Sequence, residues 1–285
     1  SGEDIPLKKV AAVIQNVRPD VLLLNEFDYF ELDSAILFIN NYLDKPQFGN
    51  EAISFLHALN GAVNTGEDSG LDLSGNGVLG EPGDAWGFGR FPGQYGMMVL
   101  SRFPLQLQRS FRLFKWRDMP DALIPLNPEG SNWYPETVWK ELRLSSKTHW
   151  DIAVSIDGQD IHFLVSHPTP PVFDGPEDRN GARNHDEIRL WADYIDPRRS
   201  AYIYDDTGVR GGLPGDSRFV IAGDLNADPV DGDSSAGAIL QLLDHPKINA
   251  TCVPLSEGSE EASREQGGKN LEQQGNPAAD TGDFN

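Results

Sequence analysis

Three apolar runs in this sequence end in side chains that could take part in catalysis. Each run is continuous rather than alternating, which is typical of a strand buried on both faces of a sheet. α/β sheets place ligands beyond the ends of such strands, although turns also favour Asp, Asn and Gly there for backbone reasons alone. The polar residues that follow the three runs are Glu26, His167, and the pair Asp224 and Asn226.

These residue types suit the hydrolysis of a phosphoester. Water attacks in line with the leaving group, so a site needs a hard cation, an oriented water and a means of stabilising charge on the phosphoryl oxygens. Carboxylates hold Mg²⁺ or Mn²⁺ through oxygen. We expect Asp224 to orient or deprotonate the water, Asn226 to donate a hydrogen bond without adding charge, and a protonated His167 to donate to a non-bridging oxygen.

The pattern between these residues predicts an α/β fold. Apolar residues at helical spacing precede the first run, and a second helical pattern follows the His167 segment between Asn184 and Ile195. The pair Asp157-Gly158 joins two β-rich runs and predicts a tight hairpin. We therefore expect the strand ends, with their polar residues, to meet at one edge of the fold.

Composition indicates a single domain over residues 1–285, because 39% hydrophobic residues suffice for one sizeable core. Stretches rich in Gly, Asp and Pro predict loop insertions at about 30–92 and 115–141, and a polar tail begins at about 256. No apolar run is long enough to predict a membrane span. The single cysteine, Cys252, excludes an intrachain disulfide and leaves the compartment open.

The formal charge of −21 argues against broad binding to nucleic acid, because phosphate contacts need a basic surface. A carboxylate-lined site can still neutralise itself by recruiting cations, so the net charge does not exclude nuclease activity. We expect small phosphoesters to be better substrates than long duplex DNA.

Four motifs resemble those of the endonuclease/exonuclease/phosphatase superfamily, which includes deoxyribonucleases, sphingomyelinases and inositol polyphosphate phosphatases. They occur in the expected order between residues 21 and 229, as LLLNEFD, YGMMVLSRFP, LVSHPTP and IAGDLNADP. The resemblance implies a four-layer α-β-β-α sandwich, in which two mixed β-sheets pack face to face with helices outside. It also implies a divalent-metal phosphoesterase site, for a phosphodiesterase, nuclease or phosphomonoesterase, at one edge.

By the same resemblance, Glu26 matches the metal-binding glutamate and Tyr95 the tyrosine near the phosphate. His167 matches the histidine of the catalytic pocket, and Asp224 and Asn226 match the Asp-x-Asn pair. The resemblance therefore assigns a role to each of these five residues.

The segment that follows His167 carries two further candidates. Arg179 and Arg183 lie just beyond the loop, and we expect them to bind phosphate. The same segment looks closest to bacterial and often exported members of the superfamily. This likeness favours a periplasmic or extracellular location.

The sequence departs from the superfamily pattern at both ends. Members open with a strand that ends in a metal-pocket asparagine and close with a strand that carries an Asp-His pair, and neither is found in the 285 residues. We expect a second polypeptide, or residues outside this sequence, to supply those strands.

A separate loop supports an alternative function. From Asp72 it matches the first half of a calcium-binding loop, with oxygen-bearing side chains at alternate positions, Ser74 and Asn76 being the next two, and glycine at the sixth position. Its twelfth position is Gly83, where such loops have glutamate. The alternative is a catalytically inactive calcium-binding interaction module on the same fold.

Overall fold

The computed structural model describes residues 2–281, leaving aside the side chains of residues 31–33, 269 and 271. Within that part of the chain, seven strands form two sheets. The strands are β1 (Val21–Asn25), β2 (His57–Asn60), β3 (Met97–Ser101), β4 (Leu105–Ser110), β5 (His149–Ile156), β6 (Gln159–Ser166) and β7 (Arg218–Ala222). The first sheet is antiparallel, in the order β1-β3-β2, and the second has the order β4-β5-β6-β7, with β6 and β7 parallel.

Helices lie between and around these strands. They are α1 (Ile5–Val17), α2 (Glu31–Phe38), which continues as a π-helix over Ile39–Leu43, α3 (Glu136–Trp139), α4 (Arg179–Tyr194), α5 (Leu240–Leu243) and α6 (Glu257–Gln266). Among residues 2–281, no helix combines the length and the apolar character that a bilayer span requires.

Strand β3 shows how the layers are built. All five of its residues are buried, and its side chains alternate between two faces. Met97 and Val99 pack against Trp150 of β5 in the layer between the two sheets. Met98 and Leu100 pack on the opposite face against residues of α1 and α2. A further cluster joins α4 to the outer face of the second sheet, so the predicted two-sheet sandwich with outer helices is confirmed. Of the two sheets expected to be mixed, only the second is, because both strand pairs of the first are antiparallel.

The predicted hairpin is confirmed between β5 and β6. Asp157 and Gly158 have φ values of 50° and 77°, and a tight primed turn needs left-handed values at both positions. From this turn the two strands pair without interruption as far as His149, which lies opposite Ser166. The turn thereby determines which residues of the two strands lie side by side.

Two expectations differ from the structure. Strands β1 and β7 are only partly buried, and Val220 is 52% exposed, because each strand lies at an edge of its sheet and has a neighbour on one side. Residues 30–92 and 115–141 were predicted as loop insertions, but the first contains α2 and β2 and the second contains α3. The tail from 256 contains α6. Such short elements depend on contacts with the rest of the fold, which local propensity does not reveal.

Candidate active site

The parallel pairing of β6 and β7 brings His167 and Asp224 together. The two strands run in the same direction and end level with each other. His167 Nε2 and Asp224 Oδ2 are 3.7 Å apart. Gly223 permits this approach, because a Cβ at that position would lie 2.0 Å from the carbonyl oxygen of Ser166. Two of the predicted side chains therefore face each other across neighbouring strand ends.

Helix α4 fixes the two loops that carry these residues. Asn184 is fully buried, and its Nδ2 donates hydrogen bonds of 2.9 Å to the carbonyl oxygens of Thr169 and Leu225. Glu187 is also fully buried and accepts a hydrogen bond of 2.6 Å from the Thr169 N–H. Buried polar groups are costly to leave unpaired, so these contacts hold the loops at a set spacing.

Asn226, in the loop that follows β7, is bonded to the loop that carries His167. Its φ is 50°, and its backbone N–H donates to Asp224 Oδ1 at 3.2 Å. Its side-chain Nδ2 donates to the carbonyl oxygen of Pro168, also at 3.2 Å. One N–H of the amide therefore steadies the His167 loop, and the second is the one that could donate to a phosphoryl oxygen.

Glu26 and Tyr95 lie at the same end of the first sheet. β1 ends and β3 begins there, with Asn25 opposite Met97. The backbone N–H of Tyr95 donates to Asp28 Oδ1 at 3.0 Å. Glu26 and Tyr95 have left-handed φ values of 57° and 56°. This conformation costs a residue other than glycine about 1–3 kcal/mol, and such residues cluster at functional sites. The two φ values are therefore a structural sign of a functional site that the sequence motifs did not give.

Lys147 is a buried lysine just before β5, and no sequence motif singled it out. Its side chain is 6% exposed. Burial lowers its pKa to about 8, although the negative charges of Glu187, Glu26 and Asp224 act in the opposite direction. Within residues 2–281, no hydrogen bond or ion pair engages its ammonium group. Glu26 follows a strand of the first sheet and Asp224 a strand of the second, so carboxylates beyond both sheets act on Lys147. The convergence of Glu26 and Asp224 on one pocket stays a prediction.

A sequence signal for Lys147 does exist. The predicted Asp157-Gly158 turn sets the pairing of β5 and β6, and the pairing places His149 opposite Ser166. Two residues further from the turn, Lys147 is level with the His167 loop. Counting outward from the turn gives this position, but not the burial or the neighbouring charges of the side chain.

His167 is neutral near pH 7, in contrast to the protonated form expected from the sequence. Its side chain is 2% exposed. Burial, and to a lesser degree the positive charge of Lys147, lowers its pKa to about 3. Its Nδ1 has no hydrogen-bond partner among the described residues. A neutral imidazole donates one N–H, so His167 can donate a hydrogen bond but brings no charge to the site.

The lowered pKa makes the fold sensitive to acid. His167 titrates near 6.5 in the unfolded chain and near 3 in the folded protein. The unfolded state thus binds the proton more readily, and the stability present above pH 6.5 is lost as the pH falls toward 3. We expect the free energy of unfolding to be about 2 kcal/mol lower at pH 5 than at pH 7 through this residue.

Urea unfolding of the native protein and of His167→Asn at both pH values measures this contribution. Other buried groups, including His149, contribute equally to both proteins and cancel in the comparison. The same pH dependence in the two proteins would contradict a buried, neutral His167.

The end of β1 offers oxygen atoms that fit a hard divalent cation. Glu26 is exposed, and among residues 2–281 no hydrogen bond or ion pair engages its carboxylate. Asn25 Oδ1, next to it in the chain, is buried and has no partner in the same part of the chain. No group of three or more His, Cys, Asp or Glu among the described residues could hold a metal. Mg²⁺ needs only one or two carboxylates and keeps several waters, so the donors present fit it.

The two predicted phosphate-binding arginines are engaged within the protein. Arg183 is 8% exposed and donates hydrogen bonds of 2.7, 2.8 and 2.9 Å to backbone carbonyl oxygens. Arg179 forms an ion pair with Glu177, and its guanidinium lies 5.4 Å from the ring centroid of Trp133. The geometry therefore favours positioning roles for both residues over the phosphate contact that the sequence suggested.

The Asp72 loop is closed by its own backbone. Asp72 Oδ1 accepts hydrogen bonds from the N–H groups of Gly75 at 2.7 Å and Asn76 at 3.2 Å, and Oδ2 accepts one from Gly77 at 2.8 Å. Ser74 Oγ donates to the same carboxylate at 3.3 Å. These hydrogen bonds hold the pKa of Asp72 below its usual value, and the bond from the Gly77 N–H contributes most. Calcium would have to compete with them, so the geometry gives the predicted calcium site no support.

Comparison with known proteins establishes the family. The model of the Endonuclease/Exonuclease/phosphatase family matches residues 1–284. The chain belongs to the endonuclease/exonuclease/phosphatase family. The resemblance carried by the four sequence motifs is thereby confirmed, and members of this family are generally hydrolases that act on phosphoesters. No curated protein matches the chain.

Several solved structures are similar to this family member. An endonuclease/exonuclease/phosphatase from Beutenbergia cavernae is 18% identical, with a TM-score of 0.42, over 84% of this chain and 47% of its own. Sphingomyelinase C from Streptomyces griseocarneus is 14% identical, with a TM-score of 0.43, over 86% of this chain and 63% of its own. A beta toxin mutant from Staphylococcus aureus with bound magnesium ions is 12% identical, with a TM-score of 0.42, over 86% and 65%. The chain thus spans about half to two thirds of the length of these proteins.

Proposed function

We propose that this family member hydrolyses small phosphodiesters by metal-assisted attack of water, at a site formed by residues beyond the strand ends of the two sheets. The observation that supports this most directly is the 3.7 Å approach of His167 to Asp224 beside a buried lysine. The negative charges of both Glu26 and Asp224 act on that lysine, Lys147. Phosphoryl transfer depends on positioning and charge stabilisation rather than on covalent chemistry, and these side chains supply both.

Asp224 is the proton acceptor in this proposal. Its side chain is 46% exposed, so water reaches the carboxylate, which orients the attacking molecule and takes its proton. The Lys147 ammonium and the second Nδ2–H of Asn226 donate to the non-bridging oxygens, where negative charge grows in the transition state. Neutral His167 donates its one N–H to the same oxygens, and Tyr95 lies beside the phosphate.

Glu26, with the amide oxygen of Asn25 beside it, would hold Mg²⁺ or Mn²⁺. Such a cation supplies Lewis-acid polarisation of a phosphoryl oxygen when it is bound. The unengaged carboxylate of Glu26 and the unpartnered Asn25 Oδ1 support this assignment.

Turnover of bis-p-nitrophenyl phosphate tests the proposal. We expect hydrolysis in the presence of Mg²⁺ or Mn²⁺, its loss on addition of EDTA, and its return when excess metal is restored. Glu26→Gln should raise the metal concentration needed for half the maximal rate, because one anionic oxygen ligand is lost.

Glu51→Gln is the matched control for this variant, since Glu51 is also exposed and lies outside the site. An equal metal requirement in Glu26→Gln and the native protein would remove Glu26 as a ligand. No hydrolysis of the diester, or of p-nitrophenyl phosphate as the monoester, would favour the alternative of a catalytically inactive binding module.

The preference for small substrates is part of the proposal, supported by the formal charge of −21, which weakens the attraction of long polyanions. Efficient degradation of plasmid DNA at physiological salt would contradict it. Export is also part of the proposal, supported by the likeness of the segment after His167 to exported bacterial members. Fractionation of the source cells, with this chain retained in the cytoplasm, would contradict that location.

A further inference from the structure

A pocket with mostly apolar walls is lined by chain segments that lead to candidate site residues. Its volume is about 450 Å³, which is within the range of small-molecule sites. We call it the Phe30 pocket. The walls include Tyr29, Phe30, Ala62, Val63, Glu67 and Gly93.

Two walls of the Phe30 pocket belong to segments that carry site residues. Tyr29 lies three residues beyond Glu26, and Gly93 lies two residues before Tyr95. The Tyr29 N–H donates to the carbonyl oxygen of Gly93 at 2.8 Å, which joins these walls directly. The segments that carry Glu26 and Tyr95 therefore form one side of the pocket.

The third wall is tied to Lys147. Ala62 and Val63 precede Asn64, whose backbone N–H donates to the carbonyl oxygen of Lys147 at 2.9 Å. Segments bonded to or continuous with those of three site residues thus line the Phe30 pocket. These links are the basis for placing one substrate molecule in both the active site and the pocket.

Phe30 gives the pocket a surface for a flat ring. It is 59% exposed, and its ring stacks on that of Phe91 with a centroid separation of 5.7 Å and an interplanar angle of 22°. The Phe91 ring covers part of the Phe30 ring, and much of the Phe30 surface stays exposed. A flat aromatic group gains both burial and ring contact from such a platform.

The charged residue of the pocket does not repel an anionic substrate. Glu67 forms ion pairs with Arg112 and with Arg143, the latter at 3.1 Å. Two guanidinium groups therefore offset the negative charge of this one carboxylate.

We propose that the Phe30 pocket binds an aromatic ring carried by the phosphodiester substrate. This inference rests on the proposed function. It specifies the organic group to which the phosphate at Asp224 and Lys147 is esterified. An aryl or heteroaryl ester is the substrate class that fits a stacked phenylalanine pair beside a phosphate site.

Direct binding of two phosphonates tests this inference. Phenylphosphonate and methylphosphonate carry the same anionic group and differ in the ring. Calorimetric titration in Mg²⁺ should show phenylphosphonate binding about tenfold more tightly, because ring stacking adds to the shared contact. Phe30→Ala should abolish that preference, and Ala62→Trp should do so by filling the pocket from an exposed position. Methylphosphonate should bind both variants as it binds the native protein.

Phe48→Ala is the matched control, because Phe48 is a 67% exposed phenylalanine outside the pocket walls. Equal affinities of the native protein for the two phosphonates would overturn the inference, even if bis-p-nitrophenyl phosphate is hydrolysed. A ring preference that survives both Phe30→Ala and Ala62→Trp would also overturn it. A ring preference lost in both variants, in a protein that hydrolyses no phosphoester, would support the pocket and count against the proposed function.

Discussion

Replacement of Asp224 by asparagine should lower kcat for a phosphodiester by about 10²–10⁴-fold, the range expected when a general base is lost. Asparagine keeps the oxygen that accepts the Asn226 N–H at 3.2 Å, so the loop can fold as before. It cannot take a proton from water at neutral pH. Steady-state kinetics on bis-p-nitrophenyl phosphate at saturating Mg²⁺ measure the effect.

Asp228→Asn is the control, since Asp228 lies in the same loop and is also exposed. Its Oδ1 accepts hydrogen bonds from the N–H groups of Val230 at 2.6 Å and Asp231 at 2.9 Å. It therefore has a comparable backbone role. Equal losses in the two variants would point to loop structure instead of proton transfer, and full activity in Asp224→Asn would remove Asp224 from the mechanism.

Replacement of Lys147 by methionine should move activity and stability in opposite directions. We expect kcat/KM to fall by about 10²–10³-fold, because a preorganised donor to the developing phosphoryl charge is lost. Burial lowers the Lys147 pKa to about 8, so the folded state disfavours the charge. Its removal should raise the free energy of unfolding at pH 7 by up to about 3 kcal/mol. Kinetics and urea unfolding measure the two effects.

The same side chain should set an alkaline limit to activity. Lys147 loses its proton as the pH rises through about 8, so kcat/KM of the native protein should decline above that pH. Lys147→Arg should move the decline to higher pH, because a guanidinium keeps its charge. Lys140→Met, at an exposed position, is the control and should change neither property. Unchanged activity in Lys147→Met would exclude a role in catalysis, and loss of both activity and stability would make Lys147 structural.

The local features of this protein were predictable from its sequence. The Asp157-Gly158 turn follows from the left-handed backbone that both residues tolerate, and the structure has it. The strand ends at Asn25, Ser166 and Ala222 follow from apolar runs that stop at polar residues or glycine. Such signals lie within a few residues of one another, so no knowledge of the packing is needed to read them.

The unpredicted features depend on contacts between distant parts of the chain. Lys147 meets carboxylates of two sheets only after those sheets have packed. His167 becomes neutral because the folded protein surrounds it, and an isolated sequence carries no measure of burial. Arg183 follows the expected loop, but its hydrogen bonds go to carbonyl oxygens brought near by the fold.

Parallel strands cannot be joined by a short turn, so the chain must cross over between β6 and β7. That crossover contains α4, whose Asn184 is bonded to the loops at the ends of both strands. The connection that topology requires is therefore also the one that aligns His167 with Asp224. We therefore expect a chimera with a homologue to keep this alignment only when β6, α4 and the loop as far as Asn226 are exchanged as one segment.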